Sequence, residues 1–297
     1  MGRWAATVRR MRFGILFANT GRAVTPDGAT ALATIAEESG FESLWTVEHV
    51  VVPAGYESPY PYSPTGKMPG PENSPIPDPL IWLTWVGAAT TRLRLATGIL
   101  ILPQRTPAVL AKELATLDVL SGGRVTLGVG VGWLEEEFRA LGVPFENRGA
   151  RTDEYIEALR VLWGAQESTY HGRFVDFERA NCYPKPVQPD GIPIAVGGHT
   201  RAAARRAGRL GDEFFPGVST PDQLTELIGT MRAAATEAGR DPDAIGITAG
   251  GAMDVDGVKR LADLGVTRIV VPNLGGDPER WKSFLGAFGE NVIAQFS

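Results

Sequence analysis

Along the chain, short apolar or β-branched runs alternate with longer stretches in which apolar residues recur at helical spacing, the pattern of a parallel sheet covered by helices. Eight runs read as strands, at residues 12–17, 43–47, 93–97, 125–128, 192–196, 213–216, 244–248 and 267–271. The segments between them read as helices over 25–39, 78–90, 107–120, a pair across 134–163, then 200–209, 221–238, 256–264 and 278–288. Pro26, Pro107, Pro221 and Pro278 fall at first-turn positions, and Gly40, Gly239 and Gly265 fall where helices should end. A strand and helix repeated eight times is the α/β architecture of the (β/α)8 TIM barrel. The rival, an open doubly wound sheet, would favour a G-x-G-x-x-G turn after the first strand, where this chain has Ala18-Asn19-Thr20-Gly21.

Two stretches break the rhythm. Residues 50–77 hold eight prolines and three tyrosines; they follow a strand end, where barrels carry their functional loops, and read as an active-site lid. Residues 168–189 place Tyr170, Phe174 and Phe177 around His171-Gly172 and read as a hairpin followed by a proline-rich connection. The first ten residues carry Arg3, Arg9 and Arg10 with no apolar run between them. They read as a frayed extension or a misplaced start rather than a secretory signal, and residues 11–297 as one barrel domain.

Composition then narrows the partners. Apolar residues make up 43% and charged residues 21%, which is ordinary globular usage. The net charge of −5 is spread along the chain, so there is no electrostatic footprint for nucleic acid or an anionic membrane. The longest apolar run, near 95–103, has strand length, too short for a membrane helix. A single cysteine, Cys182, allows no internal disulfide and fits a cytoplasmic protein.

In a barrel, the site gathers at the C-terminal strand ends. Glu48-His49 follow the second strand, Gly98-Ile99-Leu100 the third, Gly130-Val131-Gly132-Trp133 the fourth and Gly197-Gly198-His199-Thr200-Arg201 the fifth. Glycines at three successive strand ends offer bare backbone against which a flat or phosphorylated ligand can pack. His49 brings a group of ordinary pKa about 6.5 to a strand end beside the lid, where proton transfer could occur; the structural alternative is an imidazole that only supports the lid. Strict alternation sends Glu48 and His49 to opposite faces, so at most one reaches the mouth unless the strand ends before them; the alternative role for Glu48 is that of an orienter. The Gly197 turn opens a helix with Arg205-Arg206, whose free amides and positive end could hold a phosphate; the alternative is a tight turn capped by Thr200. Trp133 with Glu135, Glu136 and Glu137 either belongs to the site or is an aromatic packed under the next helix with acids in its first turn.

Other chemistries drop out. The chain has no H-x-H or H-E-x-x-H and no metal-ligand spacing among three histidines and one cysteine, so no metal is expected. G-x-S-x-G is absent, and Lys67, Lys112, Lys185, Lys259 and Lys282 lie away from the strand ends where a Schiff base would sit. A glycine-floored cavity with one proton donor or acceptor suits a bound organic cofactor that brings its own chemistry.

Three segments then carry a resemblance: Ser43-Leu44-Trp45-Thr46-Val47-Glu48-His49, Arg94-Leu95-Ala96-Thr97-Gly98-Ile99-Leu100, and Gly122-Gly123-Arg124-Val125-Thr126-Leu127-Gly128-Val129-Gly130-Val131-Gly132-Trp133. With Ile194-Ala195-Val196-Gly197-Gly198 and the 208–212 segment before Phe214, the chain resembles the luciferase-like monooxygenase superfamily of flavin and deazaflavin oxidoreductases, and within it the coenzyme F420-dependent branch. The resemblance implies that His49 is the proton-handling residue near the reactive carbon of the deazaflavin, with Glu48 beside it. It implies a non-proline cis peptide at Gly98–Ile99, preceded by Thr97, behind the ring. Gly130, Gly132 and Trp133 would line the cofactor, and Val196, Gly197, Gly198, His199 and Thr200 would form its phosphate-binding turn.

The activity implied is hydride transfer between coenzyme F420 and a small organic substrate, with the lid excluding water. The flavin branch would instead give an FMN-dependent monooxygenase working with a separate flavin reductase; the Glu48-His49 pair and the Gly197-Gly198-His199 turn lean towards the deazaflavin. A non-catalytic deazaflavin carrier would keep the glycines but give His49 no reacting partner. A barrel hydrolase or isomerase acting on a sugar phosphate at the Gly197 turn would bind no flavin. A homodimer is expected from the family. Tyr56, Tyr60 and Tyr62 of the lid point to an apolar or aromatic-lined pocket, to which Trp82 and Trp85 either add or contribute only core packing.

Overall fold

The computed structural model describes residues 10–217 and 220–296. Residues 1–9, most of the segment read as a frayed extension, lie outside the described residues. Eight parallel strands form the expected closed barrel: β1 (Arg12–Leu16), β2 (Ser43–Thr46), β3 (Arg94–Thr97), β5 (Val125–Gly130), β8 (Ile194–Gly198), β9 (Glu213–Pro216), β10 (Gly246–Gly250) and β11 (Arg268–Pro272). They run round the ring in the order β3-β2-β1-β11-β10-β9-β8-β5, and β5 returns to β3 with Leu95 opposite Val125 and Ala96 opposite Thr126. A two-residue strand, β4 (Leu100–Ile101), extends the β5 pairing at the mouth. The interruption at 168–189 begins with the expected antiparallel hairpin, β6 (Ser168–His171) and β7 (Asp176–Ala180).

Among the described residues, nine helices cover the ring: α1 (Pro26–Glu38), α2 (Pro79–Ala89), α3 (Pro107–Ser121), α4 (Glu135–Ala140), α5 (Arg148–Gly164), α6 (Arg201–Leu210), α7 (Pro221–Glu237), α8 (Val255–Asp263) and α9 (Pro278–Asn291). Their starts are written in the sequence. The side chains of Thr25, Asp78, Thr200, Asp254 and Asp277 each accept a first-turn N–H, and proline occupies the first turn of α1, α2, α3, α7 and α9. The 134–163 pair divides unequally into six residues of α4 and seventeen of α5.

Period-2 alternation along the strands separates two cores. One lies between barrel and helices and takes Phe13 and Ile15 of β1, Leu44, Leu95, Leu127, Ile194 and Phe214. The other lies inside the barrel, where Trp45, Ala96, Ala195 and Val270 meet with Leu16 and Phe215 against them. Gly14 makes room for the Trp45 indole, whose Nε1 donates to Ser43 Oγ at 2.8 Å; a Cβ on Gly14 would collide with both side chains.

Arg268 is fully buried, with its guanidinium carbon 5.1 Å from the Trp45 ring. It donates to both Glu42 oxygens at 3.1 and 3.2 Å, to Thr248 Oγ1 at 3.1 Å and to Glu213, and Glu213 also takes Arg12 at 3.0 Å. Burial alone would raise the Glu213 carboxyl, but Arg268 and Arg12 outweigh it and hold it below the ordinary carboxylate range. A carboxyl depressed in the folded state stabilises above its unfolded pKa, and that contribution is lost as pH falls through the folded value. Arg268→Ala would leave buried Glu213 with Arg12 as its one ion-pair partner and half-buried Glu42 without its guanidinium, and should destabilise the fold by about 3 kcal/mol, read as a lower urea midpoint at neutral pH. The deficit relative to wild type should shrink in acid, where the carboxyls protonate; an unchanged midpoint at neutral pH would contradict this role.

Candidate active site

The four strand ends singled out by sequence belong to β2, β3, β5 and β8, which are consecutive in the ring, so they occupy one sector of the barrel mouth. Because β2 ends at Thr46, Glu48 and His49 both lie beyond the strand, and alternation no longer governs them. Asn19, fully buried, fixes this corner. Its side chain accepts from Val47 N at 2.9 Å and donates to Val47 O and Pro77 O at 2.9 and 3.1 Å, tying together the two ends of the lid.

Both oxygens of Glu48 are occupied. Oε2 accepts from Ile101 N at 2.6 Å and Oε1 from Arg105, which also pairs with Asp78 at 2.9 Å. Burial pushes the Glu48 carboxyl up, against the opposing pull of Arg105 and the Ile101 N–H. The residue braces the segment after β2 to the end of β4 and, through Arg105, to the N-cap of α2. His49 is half-buried, and its Nδ1 lies 3.0 Å from Oε2 of Glu137, a carboxylate with no exposed surface. The other oxygen of Glu137 accepts from Val50 N at 2.7 Å and Val51 N at 3.3 Å. A carboxylate only accepts, so Nδ1 carries the proton, and Nε2 is left with no hydrogen-bond partner among the described residues.

The neighbouring acid has a parallel task. Glu136 Oε1 accepts from Glu57 N at 2.8 Å and Ser58 N at 3.1 Å, while Ser58 Oγ accepts from Glu135 N at 3.2 Å. The Ser58 hydroxyl and these lid amides hold the Glu136 carboxyl down at about 2, against a smaller opposing effect of burial. The acids that open α4 therefore clasp the lid by its backbone. Trp133 supplies the apolar part of the same dock: it meets His49, Tyr56 and Tyr60 edge to face, with ring centroids 5.7, 5.5 and 5.2 Å apart. Tyr60 continues to Tyr62 at 5.4 Å, and Tyr62 to His199 at 5.0 Å. A string of rings thus runs from the end of β2 to the end of β8. Trp85 and Trp82 are not part of it: Trp82 is buried under the 3-10 turn after β1, donating to Ala23 O at 2.7 Å, and Trp85 bonds to Thr30 Oγ1 on the outside of the barrel.

The Gly98–Ile99 peptide is cis, as the resemblance implied, and both residues are half-buried. A Cβ on Gly130 or Gly197 would strike the Ile99 side chain, so these glycines first make room for Ile99 rather than for a ligand. Gly130 and Val196 are buried. Thr97 is buried too, its hydroxyl donating to Gly128 O at 2.7 Å and accepting from Gly128 N at 2.9 Å, which staples β3 to β5. Gly132 has φ +77° and Gly198 φ +138°, conformations that favour glycine, and a side chain at Gly132 would collide with Phe138. Half-buried Gly197 and Gly198 lead to exposed His199 and Thr200, and Thr200 Oγ1 accepts from Ala203 N at 3.2 Å as the N-cap of α6. Sequence reasoning had noticed the acids after Trp133 but not their partners, and it missed Asn19 and Arg105, whose partners are distant in sequence.

A family model for luciferase-like monooxygenases matches residues 11–256. An uncharacterised protein of Mycobacterium tuberculosis is 39% identical over 273 residues, covering 89% of this chain and 94% of that protein. An FMNH(2)-dependent dimethylsulfone monooxygenase of Pseudomonas putida is 34% identical over 211 residues, 70% of this chain and 53% of that one. An F420-dependent glucose-6-phosphate dehydrogenase of Kineococcus radiotolerans is 34% identical over 194 residues, 64% and 52%. Among solved structures, an F420-dependent secondary alcohol dehydrogenase superposes with a TM-score of 0.78 at 20% identity, covering 96% of this chain and 99% of that one, a likeness of fold.

Glu136→Ala should release the lid at Glu57 and Ser58 and quicken limited proteolysis within residues 50–77, with little change in the urea midpoint of the barrel. Because the carboxyl is depressed to about 2, the clasp should persist in wild type through mildly acid pH and be lost only as pH approaches that value. Equal cleavage rates for variant and wild type would show that Glu136 does not hold the lid.

Proposed function

Because the chain belongs to the luciferase-like monooxygenase family, we propose that it is an oxidoreductase exchanging a hydride between coenzyme F420 and a small organic substrate. The observation that carries this reading is His49: Nδ1 is committed to buried Glu137, and Nε2 remains available at a mouth floored by half-buried Gly98, Ile99, Gly132 and Gly197. Such a dyad fixes the tautomer and orients the ring, which suits a group that must give or take one proton at a defined place.

The residues present fit a phosphorylated flavin-like group. Residues 197–203 contain no acidic side chain, and α6 begins there with first-turn amides that its own helix cannot satisfy. Gly197, Gly198, His199 and Thr200 would hold the phosphate, and Gly98, Ile99, Gly132 and Trp133 the ring system. Bound there, a deazaflavin supplies the two-electron donor or acceptor. The chain's own part is to exclude water with the clasped lid and to move a proton at His49 Nε2. Glu48 and Glu137 act as positioning residues. An FMN-dependent monooxygenase with a separate reductase is the second reading, supported by the Pseudomonas putida relative.

A homodimer is part of the same proposal. The outer face of α2 exposes Ile81 (75%) and Trp85 (54%) on a helix that is apolar nearly all round, which suits burial against a second copy.

Fluorescence titrations with coenzyme F420 and with FMN test the cofactor. Tight F420 binding with weak FMN binding is expected; preference for FMN would move the protein to the monooxygenase reading, and binding of neither would remove the cofactor assignment. With the cofactor known, His49→Ala should lower turnover by about 10²–10⁴-fold while sparing cofactor affinity. Unchanged turnover would leave His49 as lid support.

A further inference from the structure

The loops that join barrel strands to the following helices carry few charges, and nearly all of those are spent within the protein. Glu48, Arg105 and Asp78 neutralise one another, and Asp78 also caps α2. Asp254 and Asp277 cap α8 and α9. Lys67 lies 3.9 Å from the centre of the Tyr56 ring, bonds to the Tyr56 carbonyl and pairs loosely with Glu72 at 4.0 Å, while Glu72 accepts from Gly55 N. The remaining two, Arg22 and Glu57, are exposed. Beside the rings, Glu137 and Oε1 of Glu136 are taken up by lid amides and His49, while Oε2 of Glu136 is buried without a hydrogen-bond partner among the described residues. What the mouth offers a substrate is therefore aromatic surface and neutral hydrogen-bonding groups: the edges of Trp133, Tyr60 and Tyr62, and Nε2 of His49. Burial raises both phenols, Tyr62 to about 12, so they remain neutral donors.

We propose that the substrate is an uncharged molecule with an apolar or aromatic ring face, seated against Trp133, Tyr60 and Tyr62, and that its phosphorylated or aminated counterparts are rejected. This rests on the mouth being the active site, as proposed above. Among the described residues, an anion brought under the lid would meet Arg148, whose guanidinium is already held by Gly132 O at 3.1 Å and stacked on Phe145, and two carboxylates close by, so its desolvation would be poorly compensated. An ammonium group would find both Glu137 oxygens and Oε1 of Glu136 already taken, and Oε2 of Glu136 buried out of its reach. The chain would differ in this from its glucose-6-phosphate dehydrogenase relative, whose named substrate carries a phosphate.

The test uses a matched set, benzyl alcohol, benzyl phosphate and benzylamine, with binding to the cofactor-free protein read by saturation-transfer NMR at millimolar concentration. Saturating inorganic phosphate occupies the α6 N-terminus throughout, so the phosphorylated probe cannot score there. The alcohol should bind at least roughly tenfold more tightly than either charged probe. Trp133→Ala should weaken it by a similar factor, and Tyr62→Ala, at a half-exposed position where folding is not at stake, several-fold. Equal or tighter binding of the phosphate or the amine, failure of the alcohol to bind, or alcohol binding unaltered in both variants would overturn the proposal. None of these readings depends on which cofactor binds, so a failed cofactor titration and a failed substrate class remain separate results.

Discussion

A carboxylate with no exposed surface and no arginine or lysine beside it must be satisfied by donors of fixed position, and Glu137 is satisfied by the His49 ring on one oxygen and two lid amides on the other. The geometry of the mouth follows from that arrangement. Moving the lid at Val50 and Val51 withdraws two donors from the group that orients His49, and turning His49 withdraws the third. Ring orientation and lid position are thereby joined through one side chain, carried by the shortest described helix of the ring, while Trp133 packs against the same His49 ring.

The two ends of the barrel solve the burial of charge differently. At the base, Arg268 gathers Glu42 and Glu213 around a guanidinium stacked over Trp45, so opposite charges cancel in a dry interior. At the mouth, one oxygen each of Glu136 and Glu137 is held by backbone N–H groups of a loop. An ion pair locks side chains whose positions the strands already fix, which suits a base that has only to be stable. Main-chain donors belong to a loop, and in the proposed role of 50–77 as a lid the contact is as reversible as that loop is movable.

The barrel was legible because each strand and helix announces itself within its own ten or fifteen residues: Pro26, Pro221 and Pro278 start helices where the pattern places them, and Gly40, Gly239 and Gly265 turn the chain with positive φ. Placement of Glu48 and His49 just past a strand was legible for the same reason. What was not legible depends on partners far along the chain. Glu137 lies 88 residues from His49, Arg105 lies 57 from Glu48 and Arg268 lies 55 from Glu213, and periodicity cannot say which acid meets which base. Nor could the pattern show what stands against Gly130 and Gly197, where the Ile99 side chain occupies the space a Cβ would fill.

The lid shows why closure and specificity can be built on one segment without interfering. Its clasps use the amides of Val50, Val51, Glu57 and Ser58, groups that every residue except proline possesses, so closure asks little of the side chains. The prolines of 50–77 restrict the unfastened loop and reduce the entropy lost on closing it. Tyr60 and Tyr62 are consequently free to be chosen for what they touch, and they touch Trp133 and His199, the residues that flank the mouth just beyond β5 and β8. Substitution at those two tyrosines would retune the pocket while leaving the His49–Glu137 dyad and the backbone clasp in place, which is the division of labour a common barrel needs if it is to serve different substrates.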